Sequence, residues 1–219
     1  MASDVRKLKP GVRELKPSYW DRARRALARR DPVMAGIIRR HPRVHLMPRG
    51  EPFHTLARAI VGQQISVKAA QSVWNRFAVL VPVLDPKEVL KVKRSDLRAC
   101  GLSERKAEYI SDLAVRFAGG AVHVHRWPGM SDEEVIADLV QVRGIGRWTA
   151  EMFLIFNLLR PDVFPLGDLG LQRGLRVAYH GGRKVSLKTM KNRGDTLRPW
   201  RSVATWYLWR SLDPLPVEY

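Results

Sequence analysis

The sequence predicts an all-α protein, and three observations carry this prediction. Apolar residues recur at helical spacing through most of the 219 residues. Capping residues followed by proline, at Asp31-Pro32 and Asp85-Pro86, mark helix starts. Alternation typical of strands is confined to the short segment from Val79 to Leu84. A chain of this length can bury one good core or form two packed lobes that share a cleft.

The expected helices follow one another through short connections. In order they span Tyr19 to Arg29, Pro32 to His41, Pro52 to Ala78, Pro86 to Lys93, Ser95 to Cys100, Ser103 to Ala118, Asp132 to Val142, Arg147 to Leu159, Asp168 to Tyr179, Ser186 to Asn192 and Arg198 to Leu212. Lysines and prolines in residues 1–17 predict a basic, weakly ordered arm. The folded domain is therefore expected to span residues 18–219.

Charge composition indicates a polyanionic partner, because 39 Lys and Arg stand against 21 Asp and Glu, a formal net charge of +18. No stretch reaches the roughly 18 apolar residues that span a bilayer, and no signal-peptide core follows Met1. A cytoplasmic protein is expected by default, associated with the nucleoid if the polyanionic partner is DNA. A lone Cys100 excludes an intramolecular disulfide framework and a four-cysteine metal site. His123 and His125 are not expected to bind metal.

Two glycines flank one aliphatic residue at Gly144-Ile145-Gly146, so the backbone can turn sharply and approach another molecule closely. Ser131-Asp132-Glu133-Glu134 upstream resembles a capping box, and the apolar run from Thr149 to Leu159 is typical of a buried helix. Residues 139–150 are therefore expected to form helix, hairpin and helix. Backbone N–H groups and the second helix dipole can hold a phosphate there. For the glycine pair alone, an ordinary tight turn between core helices is the alternative.

Several segments together carry a family pattern. They are Ala59-Ile60-Val61-Gly62-Gln63-Gln64-Ile65-Ser66, Gly101-Leu102-Ser103 with Arg105-Lys106-Ala107-Glu108, Gly144-Ile145-Gly146-Arg147-Trp148-Thr149-Ala150, Asp162-Val163-Phe164 leading to Asp168, and Pro199-Trp200-Arg201-Ser202. From about Tyr19 to Trp209 the chain resembles the helix-hairpin-helix DNA glycosylases, and among them the bacterial 3-methyladenine DNA glycosylase II branch. The resemblance implies a two-lobed helical fold with DNA in the cleft between the lobes. It also implies base excision repair of duplex DNA, in which an alkylated purine of the 3-methyladenine or 7-methylguanine type is flipped out and its N-glycosidic bond is hydrolysed.

Asp168, in the segment 162–172, is the catalytic residue that this resemblance implies. A carboxylate there would stabilise the positive charge that develops on the deoxyribose, and it could orient the attacking water. Its position at an expected helix start also suits an N-cap, and both roles can coexist. The family signature often reads Gly-Pro-Asp, whereas Pro165-Leu166-Gly167 precede Asp168 here. A cationic alkylated base needs little acid assistance, which agrees with the lack of an obvious second acid next to Asp168.

Trp148 decides between two reaction types. Related bifunctional glycosylases carry a lysine at this position, which attacks the sugar and leads to strand cleavage. Tryptophan in its place implies a monofunctional enzyme without lyase activity. By resemblance Trp148 forms the base pocket with Trp209 and Met152, where the indoles would stack on the extruded base; a purely core role is the alternative for each tryptophan.

Further DNA contacts are implied around these residues. Gln63, Gln64 and Ile65 would fill the gap left by the extruded base, with a polar helix surface as the alternative. Arg201 would contact a phosphate, with an ordinary solvated arginine as the alternative. The hairpin contacts are expected from Arg143, Gly144, Ile145, Gly146, Arg147 and Thr149. The resemblance implies no required cofactor and no catalytic metal, although Na⁺ or K⁺ could bind the backbone of Val140, Val142 and Ile145.

Double-stranded DNA containing alkylated bases is the expected partner, with no membrane, no obligate protein partner and a monomeric state. Two alternatives remain open. One is a glycosylase of the same fold that acts on deaminated or mismatched bases. The other is a non-enzymatic helix-hairpin-helix DNA-binding protein, which would not need Asp168.

Overall fold

The computed structural model describes residues 16–42 and 44–212 of the chain. These residues contain twelve α-helices and one 3₁₀ turn. The helices are α1 (Trp20–Arg30), α2 (Pro32–Arg40), α3 (Pro52–Gly62), α4 (Val67–Leu80), α5 (Pro86–Leu90), α6 (Arg94–Ala99), α7 (Glu104–Ala118), α8 (Asp132–Leu139), α9 (Arg147–Phe156), α10 (Leu169–His180), α11 (Leu187–Thr196) and α12 (Arg201–Leu212), with the 3₁₀ turn at Trp127–Gly129. No strand occurs in these two ranges, so the all-α prediction is confirmed. The predicted N-terminal arm lies almost entirely outside the described residues.

One expected helix is in fact two. The prediction of a single helix from Pro52 to Ala78 was wrong, because α3 ends at Gly62 and α4 begins at Val67. Gln64 adopts a left-handed backbone conformation (φ 58°), which no α-helix accommodates. Ser66 then starts a new helix, since its side chain accepts a hydrogen bond from the Ala69 N–H at 3.2 Å. The interruption creates an exposed loop at residues 63–66.

The suspected strand from Val79 to Leu84 is also absent. Its first two residues form the end of α4, and Val81 N–H still donates to the Phe77 carbonyl at 2.9 Å. A turn follows, and Asp85 then caps α5 by accepting from the Lys87 N–H at 2.8 Å. Alternating valines here reflect a helix end and a turn, and no partner strand lies in the described ranges.

The helices pack as two groups. In one, α3 packs against α4 and α7, while α5 and α6 pack on α7. In the other, α1 and α12 pack with α2, and α10 packs on α12. The α8–α9 hairpin connects the groups, since α9 contacts α3 and its Phe156 stacks on Trp209 of α12. The buried side chains nevertheless form one continuous core, with Trp20, Phe77, Trp127 and Tyr207 fully enclosed.

Asp138 braces the start of the hairpin unit from inside the core. One of its carboxylate oxygens accepts from Trp127 Nε1 at 2.7 Å and from the His123 N–H at 2.9 Å, and the other contacts His123 Nδ1 at 2.9 Å. This accounts for His123 structurally, and the described residues contain no cluster of three or more metal-binding side chains. Among them, no helix combines the length and apolarity needed to cross a membrane.

Replacing Asp138 with Asn should lower the free energy of unfolding by about 1–3 kcal/mol. Asparagine has one acceptor oxygen in place of two, so its NH2 group would replace an oxygen that now contacts His123 or Trp127. Burial tends to raise the pKa of Asp138, but hydrogen bonds from His123 and Trp127 outweigh it and hold that pKa below the ordinary value. The stabilisation is therefore complete at neutral pH and is lost as the pH falls through the depressed pKa. Urea unfolding at pH 7 and pH 3 measures both effects. Glu88→Gln, at an exposed pair with Lys91, is the control and should change stability by less than about 0.5 kcal/mol.

Candidate active site

Asp168 lies at the N-terminus of α10, where three donors converge on its carboxylate. Oδ1 accepts from the Leu171 N–H at 2.6 Å, so Asp168 is the N-cap of the helix. The same oxygen accepts from Trp209 Nε1 at 2.8 Å, and Oδ2 accepts from Trp148 Nε1 at 2.9 Å. With only 9% of the residue exposed, the carboxylate is fixed in position and largely shielded from water.

The two tryptophans reach Asp168 from different helices. Trp148 lies in the first turn of α9 and is 39% exposed, so it is not a core residue. Trp209, near the end of α12, stacks on Phe156 with ring centroids 5.8 Å apart, and the Arg49 guanidinium lies 4.0 Å from the centre of the Phe156 ring. Met152 is buried one turn after Trp148 on the same side of α9.

Gly170 permits this close packing. A Cβ at that position would lie 3.1 Å from Asp168 Oδ1 and 3.2 Å from the Trp209 ring. Any larger residue would therefore push the indole or the carboxylate aside. The first turn of α10 is accordingly matched to the Trp209 side chain, which the sequence pattern did not reveal.

A second carboxylate, Glu151, lies near the first. It is only 7% exposed and pairs with Arg147, whose Nε lies 3.1 Å from Glu151 Oε1. Burial raises the pKa of Glu151; Arg147 opposes this shift, whereas the charges of Glu133 and Asp168 add to it. Sequence reasoning did not single out this buried acid, whose ionisation is influenced by the charge of Asp168. Its position three residues after Trp148, on the same helix face, was the available signal.

Glu151 faces a recess beside Trp148 with a volume of about 300 Å³. Basic, acidic and apolar side chains line it: Arg147, Trp148, Glu151, Phe164, Leu166, Gly167, Lys191, Asp195, Arg198 and Arg201. The recess thus reaches the two residues immediately before Asp168.

The glycine hairpin connects α8 to α9. Gly144 has φ +82°, and a Cβ there would overlap the ring of Tyr109. The Arg143 N–H donates to Asp112 at 2.8 Å, which holds the turn against α7. Gly146 is the N-cap of α9, and within the described chain no side chain caps that end. N–H groups of the first turn are therefore left for an anion.

Individual hairpin residues differ in their surroundings. The side chain of Arg143 is exposed, whereas Ile145 and Thr149 are buried. The Arg147 side chain is 57% exposed, although its guanidinium is paired with Glu133 at 2.8 Å and with Glu151 at 3.1 Å. Of the predicted hairpin contacts, Arg143, Gly146 and Arg147 are therefore the exposed residues.

The loop at 63–66 carries the three residues predicted to fill the gap. Gln64 and Ile65 are exposed, whereas the Gln63 side chain donates to the Gly144 carbonyl at 2.8 Å. Lys106 Nζ donates to the carbonyls of Val61 at 2.8 Å and Gln63 at 2.6 Å. Burial lowers the pKa of Lys106. This loop is thereby tied to both the hairpin and α7.

Arg201 is engaged by Asp162. Its Nε and Nη2 donate to the two carboxylate oxygens at 2.9 and 3.0 Å, and Nη2 also donates to the Asp162 carbonyl at 2.6 Å. Only 15% of its side chain is exposed. Ser202 supports the same segment, as its Oγ accepts from the Val163 N–H at 2.9 Å. Arg201 therefore holds the chain that leads into Asp168, a role that sequence reasoning missed.

Arg201→Lys should lower the free energy of unfolding by about 1–3 kcal/mol, because an ammonium cannot reproduce the planar two-pronged contact with Asp162. Arg198→Lys is the matched control, since Arg198 makes one contact with Asp162 at 2.9 Å and is 53% exposed. It should change stability by less than about 1 kcal/mol. Chemical denaturation of both variants gives the comparison. Equal losses of unfolding free energy would show that the two-pronged contact of Arg201 with Asp162 adds no stability.

Fold and site together define a helix-hairpin-helix protein in which a buried carboxylate, held by two indoles, lies beside a glycine hairpin suited to phosphate. A profile described as HhH-GPD superfamily base excision DNA repair protein matches residues 57–199. The chain belongs to this superfamily.

Named relatives agree with this membership. The chain is 34% identical over 169 residues to DNA-3-methyladenine glycosylase 1 of Schizosaccharomyces pombe, covering 75% of this chain and 74% of that protein. The solved structure of an S. pombe 3-methyladenine DNA glycosylase in complex with abasic DNA has a TM-score of 0.76 and 31% identity, and the match covers 90% of this chain and 99% of that one. A DNA-3-methyladenine glycosidase from Bacillus halodurans has a TM-score of 0.75 and 34% identity, covering 84% of this chain and 90% of its own.

Proposed function

We propose that the protein is a monofunctional DNA glycosylase that hydrolyses the N-glycosidic bond of alkylated purines in duplex DNA. The observation that carries the proposal is the Asp168 carboxylate, held on both oxygens by the indoles of Trp148 and Trp209. The names of the relatives, DNA-3-methyladenine glycosylases, support the choice of alkylated purines. Alkylated bases that carry a positive charge would be attracted to the indole of Trp148, which is 39% exposed.

The chemistry follows from the charge of such a base. When the bond between C1′ and the base nitrogen breaks, both electrons go to the cationic base, which leaves neutral. Positive charge then develops on the sugar, and a preorganised carboxylate in a shielded site stabilises it. Water attacks C1′, and its proton passes to Asp168 or to solvent. Because two indoles and a backbone N–H already orient Asp168, little reorganisation is needed.

Absence of lyase activity is part of the proposal. A Schiff base requires a primary amine to attack C1′. At the position after Arg147 stands Trp148, and its indole donates to Asp168. The described donors to Asp168 include no amine. Lys191, which lines the recess beside Trp148, is the lysine to exclude by experiment.

Incubation with methylated duplex DNA tests both parts. We expect release of free methylated purine, with strand breaks that appear only after alkali. Duplexes containing uracil or hypoxanthine should release little base. Preferential release from those duplexes would show that deaminated bases, and not alkylated purines, are the substrate. Breaks before alkali that disappear in Lys191→Gln would overturn the monofunctional assignment. DNA binding without any base release would leave a non-enzymatic binding protein.

We also propose a structural monovalent cation on the hairpin carbonyls of Val140, Val142 and Ile145. Val140 is the C-cap of α8, where helix carbonyls concentrate partial negative charge, and the Ile145 N–H donates to the Val142 carbonyl at 3.1 Å in the turn that follows. Thermal unfolding in KCl compared with tetramethylammonium chloride at equal ionic strength tests it. Equal melting temperatures would contradict a bound ion.

A further inference from the structure

A groove between α1 and α2 has five arginines in its wall. Its volume is about 650 Å³, and no Asp or Glu lines it. The arginines are Arg22, Arg25, Arg29, Arg30 and Arg39. We call this concavity the arginine groove. It differs from the recess beside Trp148, which contains two carboxylates.

The nearest acids of α1 and its C-terminus, Asp21 and Asp31, do not line the arginine groove and form their ion pairs with Lys16 and Arg193. Asp31 caps α2 and accepts from the Tyr179 hydroxyl at 2.9 Å. Neither Arg25 nor Arg29 forms an ion pair or hydrogen bond within the described residues. Arg25 lies close enough to Asp21 to help lower the pKa of that carboxyl, and Arg25 and Arg29, one helical turn apart, repel each other. An anion in the groove would relieve this repulsion.

The groove also has an aromatic edge. Trp200 lines it, with the Arg22 guanidinium 5.5 Å from its ring centre, and Arg30 Nη1 donates to the Arg198 carbonyl at 3.1 Å. These contacts fix two of the guanidinium groups and leave the others available. Guanidinium forks match the geometry of phosphate oxygens, so phosphodiesters suit the groove better than isolated carboxylates.

One segment joins the groove to the candidate active site. Pro199 and Trp200 line the groove, while their neighbours Arg198 and Arg201 line the recess beside Trp148. The groove is thus on another face of the segment that supports the chain before Asp168. It is separate from the glycine hairpin, which lies between α8 and α9.

We propose that the arginine groove is a second DNA-binding site, which holds backbone phosphates outside the duplex segment bound at the hairpin. The inference rests on the proposed function only in taking DNA as the ligand. Those phosphates belong either to the flank of the same duplex or to a second duplex. In both cases the site adds affinity for undamaged DNA and leaves the chemical step unchanged.

The test measures binding of undamaged duplexes over a range of salt concentrations. Arg25→Gln/Arg29→Gln removes two charges from the groove, and Lys184→Gln/Lys188→Gln removes two exposed charges elsewhere as the matched control. On a duplex of roughly four helical turns, the slope of log K against log salt should fall by about 2 for the groove variant, since each phosphate contact contributes about 0.9. The control should change the slope by less than about 0.45, which is half the contribution of one phosphate contact.

The length of the duplex and the number of duplexes in the complex distinguish phosphates of the same DNA from those of a second DNA. Loss of affinity on a single long duplex, but not on one of roughly one and a half turns, indicates the flank of the same DNA. Loss of a slower-migrating complex with two duplexes indicates a second DNA. Equal slope changes in the groove and control variants would overturn the proposal, because the arginines would then act only at long range. Single-turnover base release should be unchanged in the groove variant. A protein that releases no base would refute the proposed function while the binding result stayed interpretable.

Discussion

Replacing Asp168 with Asn is expected to reduce base release by about 100- to 1,000-fold, the usual effect of removing one preorganised electrostatic group from an active site. Asparagine caps helices as well as aspartate does, so α10 should still begin at Leu169. The variant loses the negative charge that stabilises the developing sugar cation. It should keep its affinity for undamaged DNA. Single-turnover release of methylated purine gives the rate, and fluorescence anisotropy gives the affinity.

Asp195→Asn is the matched control, because Asp195 lines the neighbouring recess but contacts Arg198 instead of the indoles. Its rate should stay within about twofold of the native rate, equivalent to less than about 0.5 kcal/mol. Equal losses in both variants would indicate a general effect of charge. A fully active Asp168→Asn protein would refute the catalytic assignment.

Gly144→Ala should destabilise the hairpin strongly. A left-handed conformation at φ +82° costs alanine about 1–2 kcal/mol, and overlap with the Tyr109 ring adds about 1–3 kcal/mol. We expect the free energy of unfolding to fall by about 3 kcal/mol in total. DNA affinity should fall by roughly tenfold or more, about 1.4 kcal/mol, because the displaced turn no longer aligns its N–H groups with the phosphate.

Gly146→Ala is the matched control, because it adds a methyl group to the same hairpin at a residue with φ −90° and no neighbouring ring. A Cβ at Gly146 meets no atom within 4 Å, so the stability of this variant should stay within about 0.5 kcal/mol of the native protein. Chemical denaturation and anisotropy on both variants complete the comparison. Native stability for Gly144→Ala would show that Tyr109 moves aside at little cost.

Much of the fold could be predicted because its signals are local. Capping residues such as Asp31 and Ser131 and the helical spacing of apolar residues depend on neighbours within a few positions. The split between α3 and α4 was missed, because glutamine rarely adopts a left-handed conformation and Gln64 therefore gave no signal of one. Tertiary contacts from Lys106 to the end of α3 stabilise that break, and no local pattern encodes them.

The candidate site shows the same division. Asp168 and its two tryptophans could be named from motifs, but the indole hydrogen bonds depend on how α9, α10 and α12 pack. Glu151 was not singled out, because its burial depends on how α9 packs and no local pattern shows it. Arg201 was expected to contact DNA, and its clamp on Asp162, 39 residues away in sequence, is a tertiary feature.

The hydrogen bond between the Gln63 side chain and the Gly144 carbonyl has a mechanical consequence. It fastens two elements that are 81 residues apart in the chain, one expected to hold phosphate and the other to enter the base stack. Lys106 anchors the same loop to α7. Because their relative position is set before DNA arrives, the entropy of ordering them is lost during folding and not during the encounter. If the loop enters the base stack as expected, it would meet each base step as one rigid unit with the hairpin. The resistance of the stack to opening, instead of adjustment by the protein, would then determine the response.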